Sequence, residues 1–189
     1  MNILYIPSAI TGEQSVTLQL GRVVMEQLAR LHPTADVVVR DVVAQPLPHF
    51  VLKRSEQDAA VFAEVLREYL AADIVVIGAP MYNFSIPSQL KAWIDAIAVA
   101  GTTFRYTANG PEGLFPDKQI IIVGSQGGVH DATTDFQERY LRQIFAFLGV
   151  NNVEVIGAKG VALGPEHKDK EIASIVERLQ NRQCPALAA

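Results

Sequence analysis

Residues 79–87 hold the side chains with the clearest chemical potential in this sequence. They follow a continuous apolar run and place Met81, Tyr82 and Phe84 in one short turn. Packing onto the protein's own core would explain one of these large side chains but not all three, so together they predict a flat apolar ligand. The Asn83 amide adds a hydrogen-bond donor for a heteroaromatic ring.

A second candidate segment, residues 7–15, combines hydroxyl groups with the start of a helix. Ser8, Thr11 and Ser15 supply the hydroxyls, and Gly12 lets the backbone turn. Such hydroxyls, with the N–H groups of a helix N-terminus, can hold a phosphate dianion. In the alternative interpretation Ser15 only caps the helix and Ser8 only satisfies the loop, and both interpretations stay open. The absence of a Walker-type or G-x-G-x-x-G pattern disfavours a nucleoside triphosphatase and a Rossmann dinucleotide site.

Paired glycines mark a third candidate segment, residues 124–130. Gly127 and Gly128 let the backbone approach a ligand closely. Their N–H groups suit the polar edge of a ring on which negative charge develops during reduction. His130 either assists that charge or a proton transfer, or is an ordinary loop histidine.

Short apolar runs that alternate with helical patterns position these segments. Five runs predict strands, at residues 2–6, 37–39, 74–78, 120–123 and 153–156, and apolar residues recur at helical spacing between them. Strict alternation predicts a parallel sheet with helices on both faces.

The number of these units is typical of the flavodoxin-like α/β class. We expect a five-stranded parallel sheet of strand order 2-1-3-4-5, in a single domain over residues 1–189. Ligands of such sheets bind beyond the carboxyl ends of the strands, where the strand order reverses. The three candidate segments follow strands one, three and four, so they should meet there.

Local signals predict where some helices begin and end. Thr134 and Gln137 form a capping-box pair before the fourth long helix. Pro87 suits the first turn of the helix before it, and Gly101 is the expected stop of that helix. Residues 102–117 read as a loop-like excursion rather than a helix.

Composition narrows the function classes. The net charge is −4 and no Lys/Arg cluster forms a basic stripe, so we expect no nucleic-acid partner. We expect no membrane span, because no apolar run approaches about 20 residues, and no metal site, because no His/Cys cluster has ligand spacing. The single cysteine, Cys184, and the lack of a secretory leader favour the cytoplasm.

Five segments, taken together, are similar to one known family. They are residues 79–84, 86–91, 103–107, 109–114 and 127–130. The chain thereby resembles the FMN-dependent NADH:quinone oxidoreductases of the azoreductase family, from its first strand through residues 160–165. Met81-Tyr82-Asn83-Phe84 after strand three is the most specific part of the resemblance.

The resemblance implies one FMN per subunit and a homodimer with active sites at its interface. It assigns the phosphate to Ser8, Gln14 and Ser15, and the isoalloxazine ring to Met81, Tyr82, Asn83 and Phe84 on one side and Ser125, Gln126, Gly127 and Gly128 on the other. It places Phe104, Tyr106 and Phe147 in the substrate pocket over the flavin.

Three positions depart from the pattern of the family. Glu13 stands where a small or hydroxyl residue is frequent, Gln126 replaces an arginine, and residues 48–55 form a shortened segment. An acid beside a phosphate is repulsive unless its side chain points outward. The first two departures leave the phosphate contacts and the donor preference open, and the third would widen the mouth of the pocket.

The expected activity is reduction of quinones to hydroquinones and reductive cleavage of azo bonds, with NADH or NADPH as the donor. We expect a ping-pong hydride mechanism without an obligatory catalytic side chain, in which Asn83 and His130 can assist. The alternatives are a flavodoxin-type electron carrier and a flavin reductase that releases reduced FMN. Carriers tend to be strongly acidic, whereas this net charge of −4 is mild.

Overall fold

The computed structural model of the chain describes residues 1–115, 117–131 and 133–181, so Cys184 lies outside the described residues. The strands are β1 (Asn2–Ile6), β2 (Asp36–Val39), β3 (Ile74–Pro80), β4 (Phe104–Thr107), β5 (Gly110–Gly113), β6 (Gln119–Ser125) and β7 (Asn152–Ala158). The helices are α1 (Val16–Leu31), α2 (Glu56–Ala71), α3 (Ser88–Ile97), α4 (Phe136–Phe147) and α5 (Pro165–Gln180), with a 3-10 turn at Gly12–Gln14 before α1. None of the helices in this described part is long and apolar enough to cross a membrane.

Five strands form one parallel sheet in the order β2-β1-β3-β6-β7. Because β6 and β7 are the fourth and fifth predicted strands, this is the predicted order 2-1-3-4-5, and the flavodoxin-like class is confirmed. β3 lies at the centre and is buried along its whole length, since helices cover both faces of the sheet.

Alternating side chains of β1 show how the two helical layers attach. Ile3 and Tyr5 belong to the apolar cluster formed with α1 and α5, whereas Leu4 and Ile6 belong to the cluster formed with α2, α3 and α4. The two clusters pack on opposite faces of the same strands. The carboxyl edge of the sheet is therefore held in place and supports the loops that leave it.

The expectation of a loop over residues 102–117 was wrong, because β4 and β5 pair there as an antiparallel hairpin. The sequence of this segment does not alternate between apolar and polar residues, so it gave no strand signal. The two strands are joined instead by an ion pair between Arg105 and Glu112, with 2.8 Å between Nε and Oε2. Gly110, at φ +110°, opens the second strand. Gly113 packs directly on Gly149 after α4: a Cβ at Gly113 would lie 1.9 Å from the Gly149 nitrogen.

Three predicted helix boundaries were also wrong. Asp135, not Thr134, caps α4, because its Oδ1 accepts from the Glu138 N–H at 2.9 Å. Pro87 occupies the cap position before α3 rather than its first turn, and α3 ends at Ile97. Gly101, at φ +81°, lies beyond that end, in the turn before the hairpin.

Candidate functional site

A cleft opens at the carboxyl ends of β1, β3 and β6, where the strand order reverses. Its volume is about 220 Å³, and it is partly open to solvent. Its lining residues are Thr11, Gln14, Ser15, Val16, Pro80, Met81, Tyr82, Ser125, Gly127 and Val161. Six of these belong to the predicted set: Gln14, Ser15, Met81, Tyr82, Ser125 and Gly127.

The first wall of the cleft is the N-terminus of α1 with the 3-10 turn before it. Among the described residues, no hydrogen-bond acceptor meets the N–H groups of Gly12, Gln14 or Val16. Ser15 caps α1 by accepting from the Leu18 N–H at 3.2 Å, which leaves its own hydroxyl hydrogen available. Orphan N–H groups, a hydroxyl donor and the positive end of the helix dipole together suit an anion such as a phosphate.

Ser8 does not share this position. It is fully buried, and its hydroxyl donates to the Gly78 carbonyl at 2.5 Å. A hydroxyl has one hydrogen to donate, so in this arrangement Ser8 joins β1 to β3 rather than reaching a phosphate. The structure therefore agrees with the alternative interpretation of the sequence, in which Ser8 only satisfies the loop.

Glu13 forms an ion pair with Arg22, whose Nη2 lies 2.5 and 2.7 Å from the two carboxylate oxygens. The hydrogen bond and the charge of Arg22 lower the pKa of Glu13, which keeps the carboxylate ionised. Arg22 therefore offsets the negative charge that Glu13 brings to this loop.

The second wall is the turn after β3. Tyr82 and Ser85 exchange two backbone hydrogen bonds, at 2.9 and 3.0 Å, around Asn83 and Phe84. Asn83 has φ +51° and Phe84 has φ +65°, the left-handed geometry of a type I′ turn. A left-handed phenylalanine costs free energy, and such strain concentrates at ligand sites. Phe84, although part of this turn, is 60% exposed.

Side-chain and backbone hydrogen bonds fasten the three loops to one another. The Ile10 N–H donates to the Tyr82 hydroxyl at 3.2 Å, which joins the loop after β1 to the turn after β3. The Met81 N–H donates to the Ser125 carbonyl at 2.9 Å, and the hydroxyls of Thr17 and Ser125 lie 2.8 Å apart. The structure thus brings the three predicted loops together.

The third wall is the loop after β6, which is anchored through its carbonyls. The Gly127 and Gly128 carbonyls accept from Ala162 and Gly160 at 3.1 and 2.8 Å. Within the described part of the chain, the N–H groups of Gly127 and Gly128 have no acceptor, so they remain available to a ligand. His130 stands edge-on to the Phe84 ring, with 5.6 Å between ring centroids.

Gln126 turns away from the cleft. Its Nε2 donates to Asp135 Oδ2 at 2.5 Å, and the side chain is buried under the start of α4. Its backbone N–H is bonded to Ala158. The side chain that replaces the arginine of the family therefore supports the loop from below rather than lining the cleft.

The predicted substrate-pocket aromatics form a separate cluster. Phe104 is buried, with ring centroids 4.5 Å from Phe147 and 5.4 Å from Tyr106. Tyr106 is 75% exposed on the hairpin. None of the three lines the cleft within one chain.

Sequence reasoning missed some residues that build the site. Thr17 fastens α1 to β6, Val161 lines the cleft from the loop after β7, and Gln137 holds the end of β3. Thr17 and Gln137 are polar residues buried on otherwise apolar helix faces, which was the available signal. No group of three or more His, Cys, Asp or Glu side chains suited to a metal ion occurs among the described residues.

The chain is similar to known proteins over nearly its whole length. A family described as having a flavodoxin-like fold matches residues 1–182. FMN-dependent NADH:quinone oxidoreductase 1 of Xanthomonas axonopodis pv. citri is 47% identical over 191 residues, covering 98% of this chain and 99% of that one. The chain belongs to the family of the FMN-dependent NADH:quinone oxidoreductases.

A second relative and a solved structure support the same family assignment. The FMN-dependent NADH:quinone oxidoreductase 1 of Xanthomonas euvesicatoria pv. vesicatoria is 47% identical over 194 residues and is covered completely, as is this chain. A crystal structure of azoreductase from Bacillus anthracis str. Sterne superimposes with a TM-score of 0.86 at 28% identity, over 95% of this chain and 96% of that one. The arrangement described above is therefore that of an FMN-dependent NADH:quinone oxidoreductase family member.

Proposed function

We propose that this chain binds FMN in the cleft and uses a nicotinamide donor to reduce quinones to hydroquinones and to cleave azo bonds. One observation carries the proposal: orphan N–H groups at the start of α1 share a single cleft with Gly127 and with Met81 and Tyr82, which lead into the strained turn at Asn83 and Phe84. An anion site beside half-buried apolar side chains fits a planar ligand that bears a phosphate.

In this proposal each wall has a defined role. Gln14, Ser15 and the N–H groups around them hold the phosphate, while Ser8 supports the loop behind them. Met81, Tyr82, Asn83 and Phe84 contact the ring system. Ser125, Gly127 and Gly128 face its polar edge, where two available N–H groups can stabilise negative charge.

Bound FMN would supply two-electron hydride chemistry, with donor and acceptor using the open site in turn. One cycle, with protons from solvent, would reduce a quinone to a hydroquinone, and two successive cycles would supply the four electrons that cleave an azo bond. The protein's contribution is orientation and a polar environment. In this proposal His130 and Asn83, from the loops after β6 and β3, can assist a substrate without being obligatory acids, although neither lines the cleft itself. NADH is the proposed donor because the similar Xanthomonas enzymes are named for it, and NADPH is the comparison to measure.

We further propose that the enzyme is a cytoplasmic homodimer. The exposed Tyr106 on the hairpin supports an interface, because an aromatic ring beside Phe104 and Phe147 would then be covered by a second copy. Phe104, Tyr106 and Phe147 would reach a substrate only in that assembly. Sedimentation of the purified protein tests the dimer, and a monomer at micromolar concentration would contradict it.

The decisive experiment is spectroscopic. Purified protein reconstituted with FMN should retain the yellow chromophore through desalting, bleach on anaerobic addition of NADH, and recover on addition of benzoquinone. Folded protein that stays colourless would end the proposal. Loss of reduced FMN on desalting would favour the flavin reductase, and failure of quinones to restore colour would favour an electron carrier.

Two variants locate the site. Asn83→Ala and Phe84→Ala should weaken FMN binding or slow reduction by NADH, because both side chains leave the turn that faces the ring. Val37→Ala is the control, since Val37 is exposed on β2 near the opposite end of the sheet. Wild-type FMN content and reduction rate in both turn variants would count against this cleft.

A further inference from the structure

Gln137 makes two hydrogen bonds that the activity proposed above does not require. Its Nε2 donates to the Ala79 carbonyl at 3.1 Å and to the Pro80 carbonyl at 3.0 Å. Ala79 and Pro80 are the last residues of β3, directly before Met81. The amide therefore grips the backbone at the point where the turn leaves the sheet.

The turn that follows needs an external restraint. Asn83 and Phe84 are the only non-glycine residues with positive φ among those described, and strained backbone persists only where its surroundings fix it. On one side, Met81 is fixed by the Ser125 carbonyl at 2.9 Å. Gln137 provides the matching restraint from the side of α4.

The start of α4, which carries Gln137 in its first turn, is itself held by buried polar contacts. Asp135 caps α4 through Oδ1 and accepts from Gln126 through Oδ2. All three side chains are less than a tenth exposed, at 8% for Gln126, 4% for Asp135 and 5% for Gln137. The start of α4 thus connects the loop after β6 with the end of β3.

Burial and two hydrogen bonds hold this amide in place. A small cavity of about 30 Å³ lies beside it. Gln126, Asp135, Gln137, Glu138 and Lys159 are its polar lining residues. None of the other lining side chains donates to the Ala79 or Pro80 carbonyl, so loss of the amide would remove this side-chain donor from both.

We propose that Gln137 is a positioning residue, which holds the carboxyl end of β3 and thereby sets the geometry of the Met81–Phe84 turn toward the flavin. The consequence for FMN rests on the proposed function, whereas the restraint on the turn does not. Without the two donors, the Ala79 and Pro80 carbonyls lose their buried partner and the turn gains freedom.

Gln137→Met tests the proposal, since methionine keeps the length and volume of the side chain but has no donor. FMN affinity should fall by about tenfold or more, as expected for two lost buried hydrogen bonds. In the apoprotein, the hydrogen-bonded amides of Met81, Tyr82 and Ser85 should exchange with solvent faster. Gln143→Met is the matched control, because Gln143 is exposed on the same helix and should change neither quantity.

Gln137→Glu adds a readout that a purely structural role would not give. Burial, the nearby Asp135 and Glu138 carboxylates and two carbonyl oxygens should raise the pKa of the introduced carboxyl, and together they should outweigh the opposing charge of Lys159, which lines the same cavity. Its protonated form can donate to one carbonyl, so FMN affinity relative to wild type should recover as the pH falls from about 8 to about 5. Gln137→Met should show no such recovery, since it cannot donate at any pH.

The possible results distinguish a failure of the positioning role of Gln137 from a failure of the proposed function. Wild-type FMN affinity and unchanged amide exchange in Gln137→Met would overturn the positioning role. If Gln137→Met does not fold, the pH profile of Gln137→Glu decides, and a flat profile relative to wild type would overturn it. If the wild type itself does not bind FMN, the proposed function fails, and apoprotein exchange alone still decides the restraint.

Discussion

The left-handed backbone at Phe84 predicts an unusual order of stability for two variants. Phe84→Ala and Phe84→Gly both remove the ring and its contact with His130, so that loss cancels in a comparison between them. At φ +65° a residue with a Cβ pays about 1–2 kcal/mol. Glycine avoids this penalty but loses about 0.4–1 kcal/mol through its more flexible unfolded chain.

The net expectation is that Phe84→Gly is more stable than Phe84→Ala by about 0.5–1 kcal/mol. For a chain of this length the midpoint of thermal unfolding should then differ by about 1–4 °C. Urea or thermal unfolding of the two apoproteins, followed by circular dichroism, measures the difference.

Ala44→Gly is the control for this pair. Ala44 is exposed in a turn, and its φ lies outside the left-handed region that Asn83 and Phe84 alone occupy among the described non-glycine residues. Glycine should destabilise the protein there by about 0.4–1 kcal/mol, the opposite sign. If Phe84→Ala proves as stable as Phe84→Gly while the control behaves as expected, the turn is not strained in the way described.

Three further predictions concern charge and close contact. Burial lowers the pKa of Lys118 to about 8, below its unfolded value. The unfolded chain therefore binds more protons between about pH 8 and pH 10, and the free energy of unfolding should rise over that range relative to Lys118→Met by about 1–2 kcal/mol. Gly113→Ala should destabilise the protein by about 1–3 kcal/mol, because its Cβ would lie 1.9 Å from the Gly149 nitrogen. Arg22→Ala should weaken FMN binding by about two- to fivefold, by leaving Glu13 unpaired, and Glu13→Gln in the same protein should restore it.

A specific result would contradict each of these three predictions. Parallel pH profiles of wild type and Lys118→Met would show that this lysine keeps its ordinary pKa when folded. Gly157→Ala is the control for Gly113→Ala, since a Cβ at Gly157 meets nothing within 4 Å, and equal effects would exclude close contact as the cause. FMN affinity that is the same in Arg22→Ala and wild type would mean that the charge of Glu13 does not reach the phosphate.

The class of fold and the three loops of the site could be predicted from the amino-acid pattern alone. Continuous apolar runs such as that of β3 report burial on both faces, and strict β-α alternation leaves few topologies. The position of Met81–Phe84 after a buried strand could also be inferred, because ligands of such sheets bind beyond the carboxyl ends. These signals are local or periodic, so they can be recognised in a single amino-acid sequence.

Which of the predicted residues face the cleft depends instead on long-range contacts in the folded chain. Ser8 and Gln126 lie in the correct loops, yet Gly78 and Asp135, distant in sequence or across a turn, draw their side chains away from it. The left-handed φ of Phe84 was equally hidden, since phenylalanine carries no local preference for that geometry. Long-range hydrogen bonds such as that of Gln137 to the end of β3 depend on how helices dock, and no local pattern encodes that docking.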